Sequence, residues 1–67
     1  MFSDIFVHLL QISSVSAYKL SKDTGIPQSV ISYWKSGEKL PSAENLLKLA
    51  NYFDVSVDYL VGRTDSP

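Results

Sequence analysis

Residues 16–42 contain two short helical patterns, separated only by Gly25 and the residues next to it. In the first pattern, apolar or small residues recur at three- and four-residue steps around Leu20, and in the second Ile31 and Trp34 keep this spacing. Such spacing places side chains on one face of a helix. Two helices of about two turns each cannot lie antiparallel across so short a break, so they must cross steeply.

The residues at the break fit a sharp turn between two helices. Gly25 can adopt a positive φ and end the first helix without a steric penalty. Pro27 suits the entry of the next helix, because that position needs no N–H group and the proline ring already sets φ. Gly37 is the expected stop of this second helix. A steep crossing with a glycine in the turn is the helix-turn-helix arrangement.

The stretch also carries a specific combination of residue types. A leucine and a small residue stand in the first helix, a glycine and an aliphatic residue at the turn, and a Gln-Ser start and an Ile-Ser pair in the second helix. The residues concerned are Leu20, Ser21, Gly25, Ile26, Gln28, Ser29, Ile31, Ser32, Trp34 and Gly37. This combination resembles the DNA-binding core of the phage-repressor-like (Xre-like, Cro/lambda-repressor-like) helix-turn-helix family. The resemblance continues through Pro41-Ser42 and covers nearly the whole chain.

Further helical patterns lie on both sides of this core. Ser3 is placed to cap a first helix and Ser16 the second helix, over residues 17 to about 24. Ser42 is placed to cap a fourth helix over residues 43 to about 53, and Ser56 a short fifth helix that Gly62 ends. The apolar stripe of the first helix consists of Phe2, Phe6, Leu9 and Leu10. We therefore expect an all-α fold, a compact bundle of five short helices. The resemblance implies a lambda-repressor-like DNA-binding domain, with helices 2 and 3 as the helix-turn-helix.

Size and composition fit one small domain. The chain has 67 residues, near the lower limit for a self-supporting core, and its 45% hydrophobic content is ample for one. We expect residues 1–62 to form the helix-turn-helix domain and residues 63–67 a flexible C-terminal tail. No apolar run approaches the roughly 20 residues of a membrane span, and no signal peptide is evident. We expect a cytoplasmic protein, and the resemblance implies a prokaryotic or phage-encoded one.

The distribution of charge matters more than its sum. The net charge of −1 argues at first against a nucleic-acid partner. Residues 16–42, however, hold four lysines against two acidic residues, whereas the rest of the chain holds two basic against five acidic residues. Basic groups thus concentrate on the candidate binding unit. A solvated lysine face explains the same counts, so this supports a DNA partner only modestly.

The second helix of the motif, over about residues 27–36, supplies the candidate base contacts. In a helix-turn-helix, the N-terminal residues of this helix point at base edges in the major groove. The amide of Gln28 can bind an adenine edge in bidentate fashion, whereas a solvated surface role is the alternative. The resemblance implies base contacts for Gln28, Ser29, Ser32 and Tyr33. Tyr33 replaces a smaller or more flexible polar residue, so it contacts a thymine methyl group or a phosphate, or only shields the helix.

Phosphate contacts should position this helix without reading sequence. The start of the preceding helix, at Ser16 and Ala17, offers free N–H groups and a partial positive charge. Ala17 stands where the family often has a glutamine, so one side-chain clamp is missing. Lys39, in the loop after the reading helix, ranks above Lys19 and Lys22, which alternatively only solvate their helix. The candidate set is Ser16, Ala17, Lys19, Lys35, Ser36, Lys39 and Ser42.

Two functions from different classes follow. The resemblance implies sequence-specific double-stranded DNA binding by a transcriptional regulator, a repressor that blocks a promoter. Because one domain has few lysines, we expect a homodimer on a palindromic operator. Apolar residues that can contribute to the dimer interface, or are simply half-buried in the monomer, are Ile5, Leu10, Leu47, Tyr52 and Tyr59. The alternative is an antitoxin or adaptor that acts through protein–protein contacts, although little of the chain lies outside the motif.

We expect no enzyme. The chain has a single histidine, His8, no cysteine, no phosphate-binding glycine loop and no cluster of carboxylates, so no catalytic constellation is evident. The sequence therefore predicts no cofactor, no metal site, no small-molecule ligand and no membrane partner.

Overall fold

The computed structural model describes all 67 residues, which form five helices and no strand. Helix α1 spans Phe2–Ile12, α2 Ala17–Thr24, α3 Gln28–Ser36, α4 Ala43–Phe53 and α5 Val57–Leu60. The Cα radius of gyration is 10.6 Å, close to the roughly 11 Å expected for a compact chain of this length. The predicted all-α bundle of five short helices is confirmed, and none of the helices has the length and apolar character that a membrane crossing requires.

Serine hydroxyls begin three of the helices. Ser16, Ser42 and Ser56 each accept a hydrogen bond from the backbone N–H three residues later, at 3.0, 3.2 and 3.0 Å. Each bond satisfies one of the N–H groups that a helix start leaves without an intrahelical partner. These three predicted caps are confirmed.

Helix α1 begins differently from its prediction. It starts at Phe2 after Met1, and no side chain caps it. The prediction that Ser3 caps α1 is therefore wrong, because Ser3 lies inside the helix. Phe2 is buried and its ring stacks on that of Phe6 at a centroid distance of 5.4 Å. This i, i+4 contact requires Phe2 to be helical, so core packing extends the helix past the serine.

The turn between α2 and α3 follows the sequence pattern. Gly25 has φ 79°, in the left-handed region, and its N–H donates to the carbonyl of Ser21. A Cβ atom built on Gly25 would have no neighbour within 4 Å. The glycine is therefore required by the backbone angle and not by lack of space. Pro27 directly precedes α3, and Gly37 ends it with φ 81°.

A single hydrophobic core holds the five helices together. Trp34 of α3 is only 1% exposed and meets Phe2 and Phe6 edge-on, with centroid distances of 6.3 and 5.8 Å. The predicted packing role of Trp34 is confirmed. No polar or charged residue is buried. The full set of buried residues is Phe2, Phe6, Leu9, Leu10, Leu20, Ile26, Ile31, Trp34, Leu49, Ala50 and Leu60.

The structure narrows the candidates for a dimer interface. Leu10 is 6% exposed and belongs to the monomer core, so of its two predicted roles burial in the monomer is confirmed and a contact with a partner is not available to it. Leu47 is exposed, whereas the other three candidates pack against the core and remain half-buried. Those three are Ile5, Tyr52 and Tyr59.

The segment after Gly62 returns to the start of α5. The N–H of Ser56 donates to the carbonyl of Pro67 at 2.8 Å, and the N–H of Arg63 donates to the carbonyl of Asp58 at the same distance. The flexibility predicted for residues 63–67 stays a prediction.

Replacement of Trp34 tests how much of the fold depends on the aromatic contact between α1 and α3. We expect Trp34→Ala to lower the free energy of unfolding by about 3–5 kcal/mol, because the cavity cannot collapse fully. Urea denaturation monitored by circular dichroism measures this change. Tyr18→Ala is the matched control, since Tyr18 is 63% exposed and its removal should change stability by less than about 0.5 kcal/mol. Equal effects of the two substitutions would contradict the packing role.

Candidate nucleic-acid interface

Helix α3 has a buried side and an exposed side. Ile31 and Trp34 face the core, whereas all four candidate base-contact residues are exposed. Tyr33, the largest of them, is 38% exposed. The four residues on the exposed side are Gln28, Ser29, Ser32 and Tyr33. The structure thus gathers all four predicted base-contact residues on one outward helical surface, which we call the reading face.

The start of α3 is open to a ligand. Pro27 precedes the helix without a side-chain cap, and its carbonyl accepts the N–H groups of Val30 and Ile31 at 3.1 and 3.2 Å. The N–H groups of Gln28 and Ser29 lie before the first helical hydrogen bonds, so they have no partner within the helix. A helix start of this kind presents backbone donors and a partial positive charge beside the Gln28 amide.

A groove borders the reading face on the side of α1 and α2. It brings Lys35 together with Ser16 and Ala17, three of the predicted phosphate contacts that are distant in sequence. Gln11 and Ser14 line the same groove, although the sequence pattern gave them no role. The available signal for them was the change from apolar residues to Gln11, Ser13 and Ser14 at the end of the first helical pattern. Because Lys35 follows Gln28 and Ser32 at i+7 and i+3, it lies on their stripe of α3.

A second groove borders the reading face on the side of the α3–α4 loop. It is lined by Ser29, Ser32, Tyr33, Ser36 and Glu38. The hydroxyl of Ser36 lies 3.1 Å from the carbonyl of Tyr33 and 3.3 Å from Oε1 of Glu38. Its single proton is therefore used within the protein, which weakens Ser36 as a phosphate donor. Glu38, to which the sequence assigned no role, adds a negative charge to this groove.

Lys39 reaches back from the same loop to Tyr33. Its Nζ atom lies 4.6 Å from the centroid of the tyrosine ring, within the range of a cation–π contact. The structure therefore joins a predicted phosphate contact to a predicted base contact.

Lys19 is engaged in a small polar cluster. Its Nζ atom lies 3.1 Å from Oδ2 of Asp23, and the same oxygen accepts a 2.6 Å hydrogen bond from the hydroxyl of Tyr52 on α4. The hydrogen bond from Tyr52, followed by that from Lys19, holds the pKa of Asp23 below its ordinary value of 3.8. The same bond to Asp23 raises the pKa of Tyr52. The cluster links α2 to α4 and partly neutralises Lys19, so a phosphate must compete with Asp23 for this ammonium group.

Two further hydroxyl groups remain able to donate. Ser16 and Ser42 accept the N–H groups of Lys19 and Asn45 as helix caps, but a hydroxyl that accepts still has its own proton. Tyr18, to which the sequence pattern assigned no role, presents an exposed phenol in the first turn of α2. The apolar stripe around Leu20 excludes position 18, and this was the signal that it faces outward.

The rest of the surface shows no competing chemistry. No group of three or more histidine, cysteine, aspartate or glutamate side chains is close enough to hold a metal ion.

A family model described as "Helix-turn-helix" matches residues 13–60, more than half of the chain. The chain belongs to the helix-turn-helix family. The matched segment includes α2, the turn at Gly25 and α3, so the phage-repressor-like resemblance that their residues carry is confirmed, together with the fold class.

Two curated bacterial proteins resemble this part of the chain. The uncharacterized HTH-type transcriptional regulator YobD of Bacillus subtilis (strain 168) is 39% identical over 49 residues, 73% of this chain and 44% of that protein. The cryptic phage CTXphi transcriptional repressor RstR of Vibrio cholerae serotype O1 is 38% identical over 45 residues, 67% of this chain and 40% of that protein. The matched segments thus span less than half the length of each relative.

A solved structure has the same fold as this chain over most of this chain's length. The crystal structure of a transcriptional regulator from Listeria innocua superposes with a TM-score of 0.85 and 29% sequence identity. The match covers 92% of this chain and 58% of that one.

The polar cluster of Lys19, Asp23 and Tyr52 makes the free energy of unfolding depend on pH in the acid range. Because the folded pKa of Asp23 is depressed, its contribution to stability is fully present above the unfolded value and is lost as the pH falls from about 4 through the folded pKa. We expect Asp23→Asn to flatten this acid dependence, measured as unfolding free energy against pH. NMR titration should show the pKa of Asp23 rising in Tyr52→Phe, because the largest cause of its depression is removed. An ordinary pKa for Asp23 in the unaltered chain would contradict the cluster.

Proposed function

We propose that this chain is a sequence-specific double-stranded DNA-binding domain of a transcriptional regulator, with α3 in the major groove. The observation that carries the proposal is the reading face. Its four exposed side chains stand on a helix whose other side is fixed in the core by Ile31 and Trp34. A rigid helix with outward polar groups is what direct readout of base edges requires. Membership of the helix-turn-helix family and the regulators among its relatives support the proposal.

In the proposed complex, the start of α3 enters the groove first. Gln28 stands in the first turn. Its amide NH2 group can donate to N7 of an adenine while its Oε1 accepts from the N6 amino group of the same base, which is a bidentate contact. Ser29 and Ser32 follow with short hydroxyls that serve a base or a phosphate. The groove at Ser16, Ala17 and Lys35 would hold one stretch of the DNA backbone, and the loop at Lys39 the neighbouring one.

The sparse positive charge supports binding as a pair. Lys19 is paired with Asp23, and Glu38 offsets part of the charge at Lys39, so one domain neutralises few phosphates. Since affinity rises with the number of phosphates neutralised, we propose a homodimer on a palindromic operator. Its half-sites would lie one helical turn, about 34 Å, apart. Exposed Leu47 is the strongest of the predicted interface residues that remain.

Repression is the proposed outcome of binding. The support is the likeness to the repressor RstR, and the mechanism is occupation of a promoter. The proposed location is the cytoplasm of a prokaryotic cell, where the protein is encoded by the cell or by a phage.

An adaptor or antitoxin role is the second candidate, and one observation favours it. An apolar groove is lined by Met1, Phe2, Leu40, Pro41, Leu46 and Val61. Met1 and Leu40 are each 75% exposed, and exposed apolar patches often mark protein contacts.

Selection of bound sequences from a random duplex DNA pool separates the two functions. We expect one enriched sequence with two-fold symmetry, and an affinity that falls linearly with the logarithm of salt concentration. Absence of enrichment, together with no binding of any duplex at low salt, would overturn the proposed function and favour the protein-partner role.

Gln28→Ala tests the assignment of the reading face. We expect a loss of about 1–3 kcal/mol in binding to the selected operator, because the bidentate contact disappears. Binding to random DNA should change little. Fluorescence anisotropy with both duplexes measures the difference, and Asn51→Ala, an exposed amide on α4, is the matched control. Equal losses on operator and random DNA would contradict base contact by Gln28.

A further inference from the structure

We infer that Lys39 is a positioning residue that acts through Tyr33: its ammonium group, over the tyrosine ring, holds that ring in one orientation on the reading face and so sharpens the choice of base there. This inference rests on the proposed DNA-binding function. It differs from an independent phosphate contact by Lys39, because the effect of the lysine then depends on the tyrosine.

The backbone around Tyr33 sets up this contact. The Tyr33 carbonyl accepts the N–H groups of Gly37, Glu38 and Lys39, the last two at 3.0 and 3.5 Å. It also accepts the hydroxyl of Ser36 at 3.1 Å. These bonds fold the loop tightly over the end of α3. The lysine therefore starts close to the tyrosine, and only its own side-chain torsions remain to be fixed before Nζ reaches 4.6 Å from the ring centroid.

The tyrosine needs such support because of its location. Tyr33 is 38% exposed, and no other aromatic ring packs against it. A mobile ring loses rotational freedom when it contacts a base, and this loss weakens binding. A ring already held by a cation on one face loses less, and its edge stays open to the groove shared with Ser29 and Ser32. A thymine methyl group is the partner that a ring at this position fits.

The local charge argues against a purely electrostatic role for the loop. Glu38 directly precedes Lys39. Its side chain lines the groove that Tyr33 shares with Ser29 and Ser32, and its Oε1 lies 3.3 Å from the Ser36 hydroxyl. The two side chains together bring no net charge toward a phosphate. A contribution of Lys39 to binding therefore has its clearest route through the ring that it covers.

A double-mutant cycle tests the coupling. We expect Lys39→Met to weaken operator binding about two- to five-fold, the range of an exposed cation–π contact. In the Tyr33→Leu background the same substitution should change binding little. In the chain that keeps Tyr33, Lys39→Met should also relax the base preference at one position of the operator and leave the salt dependence of binding nearly unchanged. Lys39→Arg should restore affinity and base preference, because a guanidinium group also stacks on aromatic rings.

Lys35→Met is the matched control, since Lys35 lies in the other groove and has no aromatic contact. Its loss should be the same with and without Tyr33, and should reduce the salt slope by about one. The same behaviour for Lys39→Met would overturn the inference and leave Lys39 a simple phosphate contact.

A measurement on the free protein separates this inference from the proposed function. NMR should show the Lys39 side-chain methylene protons shifted upfield by the ring current of Tyr33, and the shift should vanish in Tyr33→Leu. If DNA binds but the shift is absent, the positioning role fails and the proposed function stands. If no duplex binds, the proposed function fails, and the role of Lys39 in base choice fails with it, even where the shift is present.

Discussion

The structure depends on the packing of Trp34 against the first helix. Its indole meets Phe2 and Phe6 edge-on, and this contact ties α3 to an element that lies outside the helix-turn-helix itself. Two helices of eight and nine residues are too short to be stable alone in water. The orientation of α3 is therefore maintained by its apolar contacts with both α1 and α2. Because one side of α3 is fixed in the core, its exposed side is held rigidly as well.

Polar contacts add to the core by fixing elements at its edge. Since no polar or charged residue is buried, the hydrogen bonds that side chains make lie at the surface or at the edge of the core. The Asp23–Tyr52 bond joins α2 to α4, and the bonds to the Tyr33 carbonyl fold the α3–α4 loop. Surface polar contacts of this kind contribute little to stability individually, but they determine which charged groups, such as Lys19, are already paired within the protein.

Local chemistry explains which features the sequence could predict. The bounds of α2 and α4 agree with their predictions because Ser16, Ser42 and Gly25 act on their own neighbours. The start of α1 was missed because the packing of Phe2 against Phe6, and against Trp34 of α3, overrides the capping preference of Ser3. The resemblance implied base contacts for the four residues of the reading face, and helical spacing agrees with it because it sets them apart from Ile31 and Trp34. By contrast, the Asp23–Tyr52 bond spans 29 positions, and the Lys39–Tyr33 contact depends on a left-handed glycine between them, so neither follows from spacing.

Under the proposed function, the modest charge of this domain favours discrimination over raw affinity. Binding to random DNA depends almost entirely on lysine and arginine, and here Lys19 and Lys39 are each engaged with another residue of the protein. A domain with little attraction to arbitrary sequence loses less of its population to the many competing sites of a genome. Because the low charge weakens binding to phosphates, the affinity for the operator has to come from the fit of α3 to its bases and from a second copy of the domain bound alongside. The charge pattern, which at first counts against a nucleic-acid partner, is therefore consistent with a regulator that relies on paired, well-fixed reading helices.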